Sequence, residues 1–334
     1  MNEVKEIVNA IKSGKVAPIY FLMGEEAYYI DRIAEFIEQN VLSEEERGFN
    51  QMVLYGRDVS VDDIVANAKR YPMMSDYQVV IVKEAQELSR TIENLTSYVN
   101  NPQPSTVLVI CYKYKTIDKR KKLFKAVKKN GVLFESKKLY ENQVGEWIRR
   151  VLSGKKYTIS VKAAQMLVEF LGTDLGKINN ELQKLQLIVP QGSQITPEII
   201  EQNIGISKDF NNFELRKAIG DADFVKASRI ITYFAQNPKD NPTVVTISLL
   251  YNFFSQLLQY HGLQDKSPKN VAATLHINPY FVNEYQTASR NYPMKKVSRI
   301  IGFLRTTDLK SKGVGAANMG TGDLLKEVLV NIMA

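Results

Sequence analysis

The chain has 334 residues, 44% of them hydrophobic and 24% charged, the composition of ordinary globular material with room for two or three domains. No stretch approaches the roughly 18 apolar residues of a membrane span, the opening MNEVKEIVNAIKSGK lacks the apolar core of a signal peptide, and one cysteine, Cys111, with two histidines, His261 and His276, leaves neither an internal disulfide nor a structural zinc set. A membrane-spanning, secreted or zinc-held protein is thereby disfavoured, and the expected compartment is the reducing cytoplasm. The net charge is +8, and residues 113–129 carry nine bases against one acid, Asp118, so that single segment holds the whole excess. Such concentration points to a polyanion near one surface.

Over the first 140 residues, short runs rich in β-branched and aromatic residues alternate with segments of helical period. Residues 17–23 (APIYFLM), 51–56 (QMVLYG), 78–83 (QVVIVK), 106–111 (TVLVIC) and 132–135 (VLFE) are predicted strands. Each is almost continuously apolar, the pattern of strands covered on both faces. Residues 26–40, 60–70, 88–99 and 118–129 are predicted helices, and the acidic run at 44–46 a solvated loop. The βαβα alternation predicts a largely parallel sheet.

After Leu139 the strand pattern stops. Helices are predicted at 141–152, 160–171, 174–188 and 196–203, the last opened by Thr196-Pro197-Glu198 with proline in the first turn. From Phe213 onward they continue at 213–219, 222–236, 243–263, 268–274, 279–290, 294–306 and 321–332, broken at Asn237-Pro238, Asn241-Pro242, Ser267-Pro268 and Asn278-Pro279. The Gly-rich stretch 311–322 is predicted to be a loop. The expected fold is α/β followed by all-α, in three domains: 1–139, a small helical domain at 140–208 and an all-helical domain at 209–334. Phe253, Phe254, Leu257 and Leu258 in the longest helix read either as internal core, the favoured reading, or as an apolar face for a neighbouring subunit.

Few residues suit catalysis. The turn after the first strand, GEEAYYID at 24–31, is where an open α/β sheet would hold a phosphate, yet it has one glycine, no Lys-Ser/Thr, and two acids, Glu25 and Glu26, that would repel a triphosphate. Those acids read as first-turn residues favouring a helix dipole. Glu84, after the third strand, reads as a helix-start or surface residue; Cys111 reads as inert core; neither histidine has an acid partner in view. No catalytic, metal or cofactor residue is assigned.

Two features suggest partners. In DKRKKLFKAVKK, 118–129, Leu123, Phe124, Ala126 and Val127 share one helical face and the bases spread over the remainder. That leaves two readings, a solvated face or a set of phosphate contacts through Lys119, Arg120, Lys121, Lys122 and Lys125. In Tyr71-Pro72-Met73-Met74-Ser75, two adjacent methionines fall where a loop is normally polar; they are either buried turn residues or an apolar tip for a pocket on another protein.

The order of these features resembles the delta subunit of the bacterial DNA polymerase III clamp loader. The likeness is carried by PIYFLMGEEAYYID (18–31), PMMSDYQVVIVKEAQEL (72–88), the basic Asp118-Lys119-Arg120-Lys121-Lys122 helix, DLGKINNELQKLQLIV (174–189), NNFELRKAIGDAD (211–223) and DLKSKG (308–313), in the family's order over nearly the whole chain. The resemblance implies an AAA+-like first domain without a phosphate loop, a helical lid and a C-terminal collar. It implies a subunit that does not hydrolyse ATP, binds the ring-shaped sliding clamp (beta subunit), and opens or holds open that ring for loading onto primed DNA. Met73 and Met74 occupy the family's clamp-binding wedge, flanked by Tyr71 and Pro72. The implied partners are the clamp, the gamma/tau and delta prime subunits through the collar, and primed DNA near Lys119–Lys122 and Lys125, at replication forks in the cytoplasm and not at a membrane. The alternatives are a diverged AAA+-type nucleotide hydrolase and a stand-alone DNA-binding protein.

Overall fold

The computed structural model describes residues 2–314 and 320–333, which fall into two compact units, Met1–Leu139 and Tyr140–Ala334. In the first unit the order is α1 (Asn2–Lys12), β1 (Ile19–Gly24), α2 (Ala27–Asn40), α3 (Glu44–Asn50), β2 (Gln51–Tyr55), α4 (Val61–Ala68), β3 (Gln78–Lys83), α5 (Thr96–Asn100), β4 (Thr106–Lys113), α6 (Lys122–Asn130) and β5 (Val132–Ser136). The strands form an all-parallel sheet in the order β2-β3-β4-β1-β5, with Tyr20 of β1 level with Val109 of β4 and Val132 of β5.

Side chains of a strand point alternately to opposite faces, and here both faces are covered. Phe21, Met23, Val80, Val82, Leu108 and Ile110 pack on one face with α4, α5 and α6. Tyr20, Leu22, Val79, Ile81, Val107, Val109 and Cys111 pack on the other with α1 and α2. The near-continuous apolar runs follow from this double burial. The helices after β1 and β4 leave adjacent strands toward opposite faces, so the carboxyl ends of β1 and β4 mark the switch point where such sheets form a crevice.

Three sequence expectations are corrected in this unit. The acidic run at 44–46 is the first turn of α3: Ser43 and Glu46 form a reciprocal capping box, and the acids favour the positive end of the helix. Residues 88–99 are not one helix but two short 3-10 segments, Ala85–Leu88 and Ile92–Leu95, followed by α5. Thr91 and Thr96 hydroxyls donate to carbonyls three residues back and favour tighter turns. The basic helix starts at Lys122, because the Asp118 carboxylate accepts from the Arg120 backbone N–H at 2.9 Å and Lys121 N donates to Asp118 O, closing a turn over 118–121.

The second unit contains α7 (Glu141–Ser153), β6 (Thr158–Ile159), α8 (Val161–Leu171), α9 (Leu175–Ile188), β7 (Gln194–Ile195), α10 (Pro197–Ile204), α11 (Asn212–Gly220), α12 (Phe224–Gln236), α13 (Thr243–Gly262), α14 (Pro268–Leu275), α15 (Val282–Asn291), α16 (Met294–Ser311) and α17 (Thr321–Met333). Strands therefore do not stop at Leu139: β6 and β7 pair in parallel, each too short for a periodicity signal. Helices α11–α17 surround one apolar core that includes Phe253, Phe254 and Leu257, with Leu258 packed at its margin. Within the expected loop at 311–322, Ser311 ends α16 and Thr321 starts α17, while 315–319 lie outside the described residues. Among the described residues no helix is long and apolar enough to cross a membrane.

Two buried ion-pair clusters tie α8 to α11. Glu214, only 5% exposed at its side chain, lies between Lys162 and Lys226. Burial raises its pKa, but hydrogen bonds from the two ammonium groups outweigh that and hold the carboxyl below its ordinary value. Arg216 reaches Glu169 at 3.4 Å and Glu284 at 3.5 Å, and its guanidinium lies over the Phe213 and Phe281 rings.

Candidate functional site

At the switch point the chain closes its own phosphate position. Gly24 ends β1 at φ 124°, and a Cβ there would lie 2.1 Å from the Ser136 carbonyl oxygen, so only glycine fits. Glu25 N donates to Ser136 O at 3.1 Å, Glu26 N to Ser136 Oγ at 3.2 Å, and Tyr28 N to Glu26 Oε1 at 3.1 Å. Glu25 and Glu26 are thus not in the first turn of α2, as expected, but before it, with buried Glu26 as the N-cap. Its carboxylate takes the place at the helix start that a nucleotide phosphate takes in related α/β sheets.

The acids beside this position are also committed. Lys113, at the end of β4, reaches Asp31 at 2.8 Å and Glu84 at 2.9 Å; Gln86 donates to Glu84 and accepts from the Lys113 N–H. Desolvation works against both charges. The Asp31 and Glu84 hydrogen bonds nonetheless raise the Lys113 pKa, and those from Lys113 and Gln86 hold the Glu84 carboxyl low. A carboxylate held ionised by a lysine is a poor general base. Cys111, on β4 and buried on the sheet face that α1 and α2 cover, has its thiol pushed up to about 12 by burial. His261 Nε2 lies 2.8 Å from the Tyr292 carbonyl oxygen, His276 is an exposed cap residue after α14, and no metal-binding group of three or more His, Cys, Asp or Glu occurs among the described residues.

The second feature is a tip. Residues 71–77 run between α4 and β3 with Tyr71 78%, Met73 63% and Met74 fully exposed and Pro72 half-buried. The buried-turn reading is therefore overturned. The loop is nevertheless held: the Asn50 side chain, 5% exposed at the end of α3, accepts from Met73 N at 2.6 Å and donates to Met73 O at 2.9 Å. Met74 sits in the left-handed region at φ 53°, a conformation that costs a non-glycine residue roughly 1 kcal/mol. Asn50 is a residue the sequence offers no signal for, 23 positions from the methionine it holds.

The third is the basic segment. Leu123, Ala126 and Val127 are buried and Phe124 partly so, while Lys115, Lys119, Arg120, Lys121, Lys122 and Lys125 are exposed. Lys119 lies 3.7 Å from Glu135, placing the segment beside the end of β5, where Lys137 and Lys138 follow, also exposed. Arg120 pairs with Asp118 at 2.7 Å and holds that carboxyl down at about 2. Lys121 and Lys122 sit at the positive end of α6 with no capping side chain, an arrangement the helix dipole disfavours.

Residues 20–137, which span the sheet, the tip and the basic segment, match the family model for the DNA polymerase III delta subunit, and residues 209–321 match that for its C-terminal domain. The chain belongs to the DNA polymerase III delta subunit family. It is 28% identical over 321 residues to DNA polymerase III subunit delta of Bacillus subtilis (strain 168), covering 92% of each. It is similar to the solved structure of the Bacillus subtilis DNA clamp loader delta protein, with a TM-score of 0.57 and 27% identity over 99% of both chains. The parallel sheet flanked by helices accordingly belongs to a clamp-loader delta subunit, a component of the DNA replication machinery.

Proposed function

We propose that this delta subunit binds the sliding clamp through Met73 and Met74, with Tyr71 and Pro72 at the rim of the contact, and holds one interface of the ring open while other loader subunits hydrolyse ATP. The observation that carries this reading is the pair of exposed methionines on a loop fixed by Asn50. A soluble surface gains nothing by presenting two flexible apolar side chains on a pinned loop; a pocket on a partner does. Burying both would contribute about 3–6 kcal/mol gross. The tip shifts the ring toward its open form only by the difference in its affinity for the two forms. The capped phosphate position and the ion-paired Glu84 favour a subunit without ATP hydrolysis of its own.

On this reading residues 1–139 form the AAA+-like domain, 140–208 the lid, and 209–334 the collar that joins gamma/tau and delta prime at cytoplasmic replication forks. Lys119, Arg120, Lys121, Lys122 and Lys125 face primed DNA in the assembled complex. The test is calorimetric titration of the chain with its own sliding clamp in the absence of ATP. Met73→Ala with Met74→Ala is expected to weaken binding roughly 100-fold with an unchanged circular dichroism spectrum; unchanged affinity refutes the assignment. Titration with ATP alone is expected to give no binding heat.

A further inference from the structure

The fold brings to one edge of the sheet more than the sequence placed together. β4, β1 and β5 are neighbours, Gly24 being level with Lys113 on one side and Ser136 on the other. The chain therefore leaves β4 and β5 about 10 Å apart, two strand spacings, with Lys115 following the first and Lys137 and Lys138 the second. Lys119 bridges toward Glu135 from the segment that carries Arg120, Lys121 and Lys122. Seven exposed bases stand at this edge; of the acids beside them, Glu26 caps α2 and Asp31 and Glu84 are held by Lys113, which leaves Glu25, Asp118 and Glu135. Asp118 and Glu135 are already paired with Arg120 and Lys119.

An aromatic residue stands among them. Tyr114 is 66% exposed and adopts φ 60°, a strained region for a residue with a side chain. Its backbone is fixed from both sides: Tyr114 N donates to Gly24 O at 2.8 Å and Gly24 N donates to Lys115 O at 3.0 Å. The ring is thus carried outside the core on a fixed backbone, on a surface whose charge and helix polarity are both positive. Duplex DNA offers such a surface only phosphates, its base faces being stacked inside. An unpaired strand offers phosphates and a free base face together.

We propose that this edge binds a single strand of nucleic acid, its phosphates against Lys115, Lys119, Lys121, Lys122, Lys137 and Lys138 and one base stacked on Tyr114. The proposal rests on the reading that the basic segment faces DNA, and adds which form of DNA and which residue selects it. It is tested with the full chain by fluorescence anisotropy on a labelled oligothymidylate and a hairpin duplex over a salt series. The single strand is expected to bind more tightly, Tyr114→Ala to lose roughly tenfold on the single strand and nothing on the duplex, and Tyr114→Phe to keep the preference. Replacing Lys119, Arg120, Lys121 and Lys122 by glutamine removes three of the proposed phosphate contacts and is expected to flatten the logarithmic salt slope on the single strand by about two. Equal binding of both forms, or a preference that survives Tyr114→Ala, overturns the single-strand inference while the four-base variant still reports on DNA contact. Absence of binding to both overturns it as well; the DNA-facing reading is then decided separately, by the salt dependence of DNA binding in the loader assembled with the four-base variant.

Discussion

Replacing Asn50 by alanine separates the rigidity of the tip from its contact surface. Asn50 is buried, so it has almost no side-chain area to offer a clamp, yet it holds both polar groups of the Met73 backbone and donates at 3.2 Å to Glu46 O in its own helix. Losing the two bonds to Met73 costs the fold about 2 kcal/mol at roughly 1 kcal/mol each. A freed Met73-Met74 backbone must also be ordered again on binding, at about 1–2 kcal/mol per residue and so about 2–4 kcal/mol for the pair, and clamp affinity is expected to fall by roughly 30- to 1,000-fold although no exposed atom has changed. Calorimetry gives the affinity, and hydrogen exchange at the Met73 amide gives the rigidity. The exchange rate is expected to rise, and the affinity loss to shrink when Met73 and Met74 are already alanine, since both changes act on one contact. If Met73 exchange accelerates and clamp affinity does not move, pre-organisation by Asn50 has no part in binding and the argument fails.

Gly24→Ala is expected to destabilise the chain by about 2–4 kcal/mol in urea unfolding, because the new Cβ meets the Ser136 backbone, whereas Gly14→Ala, also at positive φ but with open space around it, costs about 1 kcal/mol. Lys113→Met leaves Asp31 and Glu84 without their shared cation; because both carboxylates are partly exposed, a loss of about 1–2 kcal/mol at neutral pH is expected, and it should shrink on acidification as Glu84, no longer held low by Lys113, takes up a proton. Glu214 has a depressed folded-state pKa, so its contribution is full above the ordinary value of 4.5 and fades as pH falls below that toward the depressed value. The stability gap between the native chain and Glu214→Gln is therefore expected to be about 1–2 kcal/mol at neutral pH and to close in acid; a gap that widens in acid contradicts the assignment.

Local chemistry was legible wherever it acts through neighbours in the chain. The five apolar runs are strands because double burial leaves no polar face to interrupt them, and the Pro-marked breaks between helices stand because proline cannot continue a hydrogen-bonded turn. The Ser43–Glu46 capping box was equally local, though three consecutive glutamates read as solvated loop and hid it. Missing glycines and an absent Lys-Ser/Thr already argued against a phosphate loop at 24–31. What closes that position instead is Ser136, more than a hundred residues away in sequence.

The sequence by itself determined the α/β-then-helical order, the charge of residues 113–129 and the two methionines at the tip, because periodicity, composition and turn chemistry are properties of short windows. Tertiary structure decided which of these face outward and what stands beside them. Met73 and Met74 are exposed and held by Asn50 because α3 and the tip meet in space, and Lys137 and Lys138 join the basic segment because β5 lies next to β1. Those juxtapositions arise from strand order and helix packing, which bring together residues that no local pattern relates.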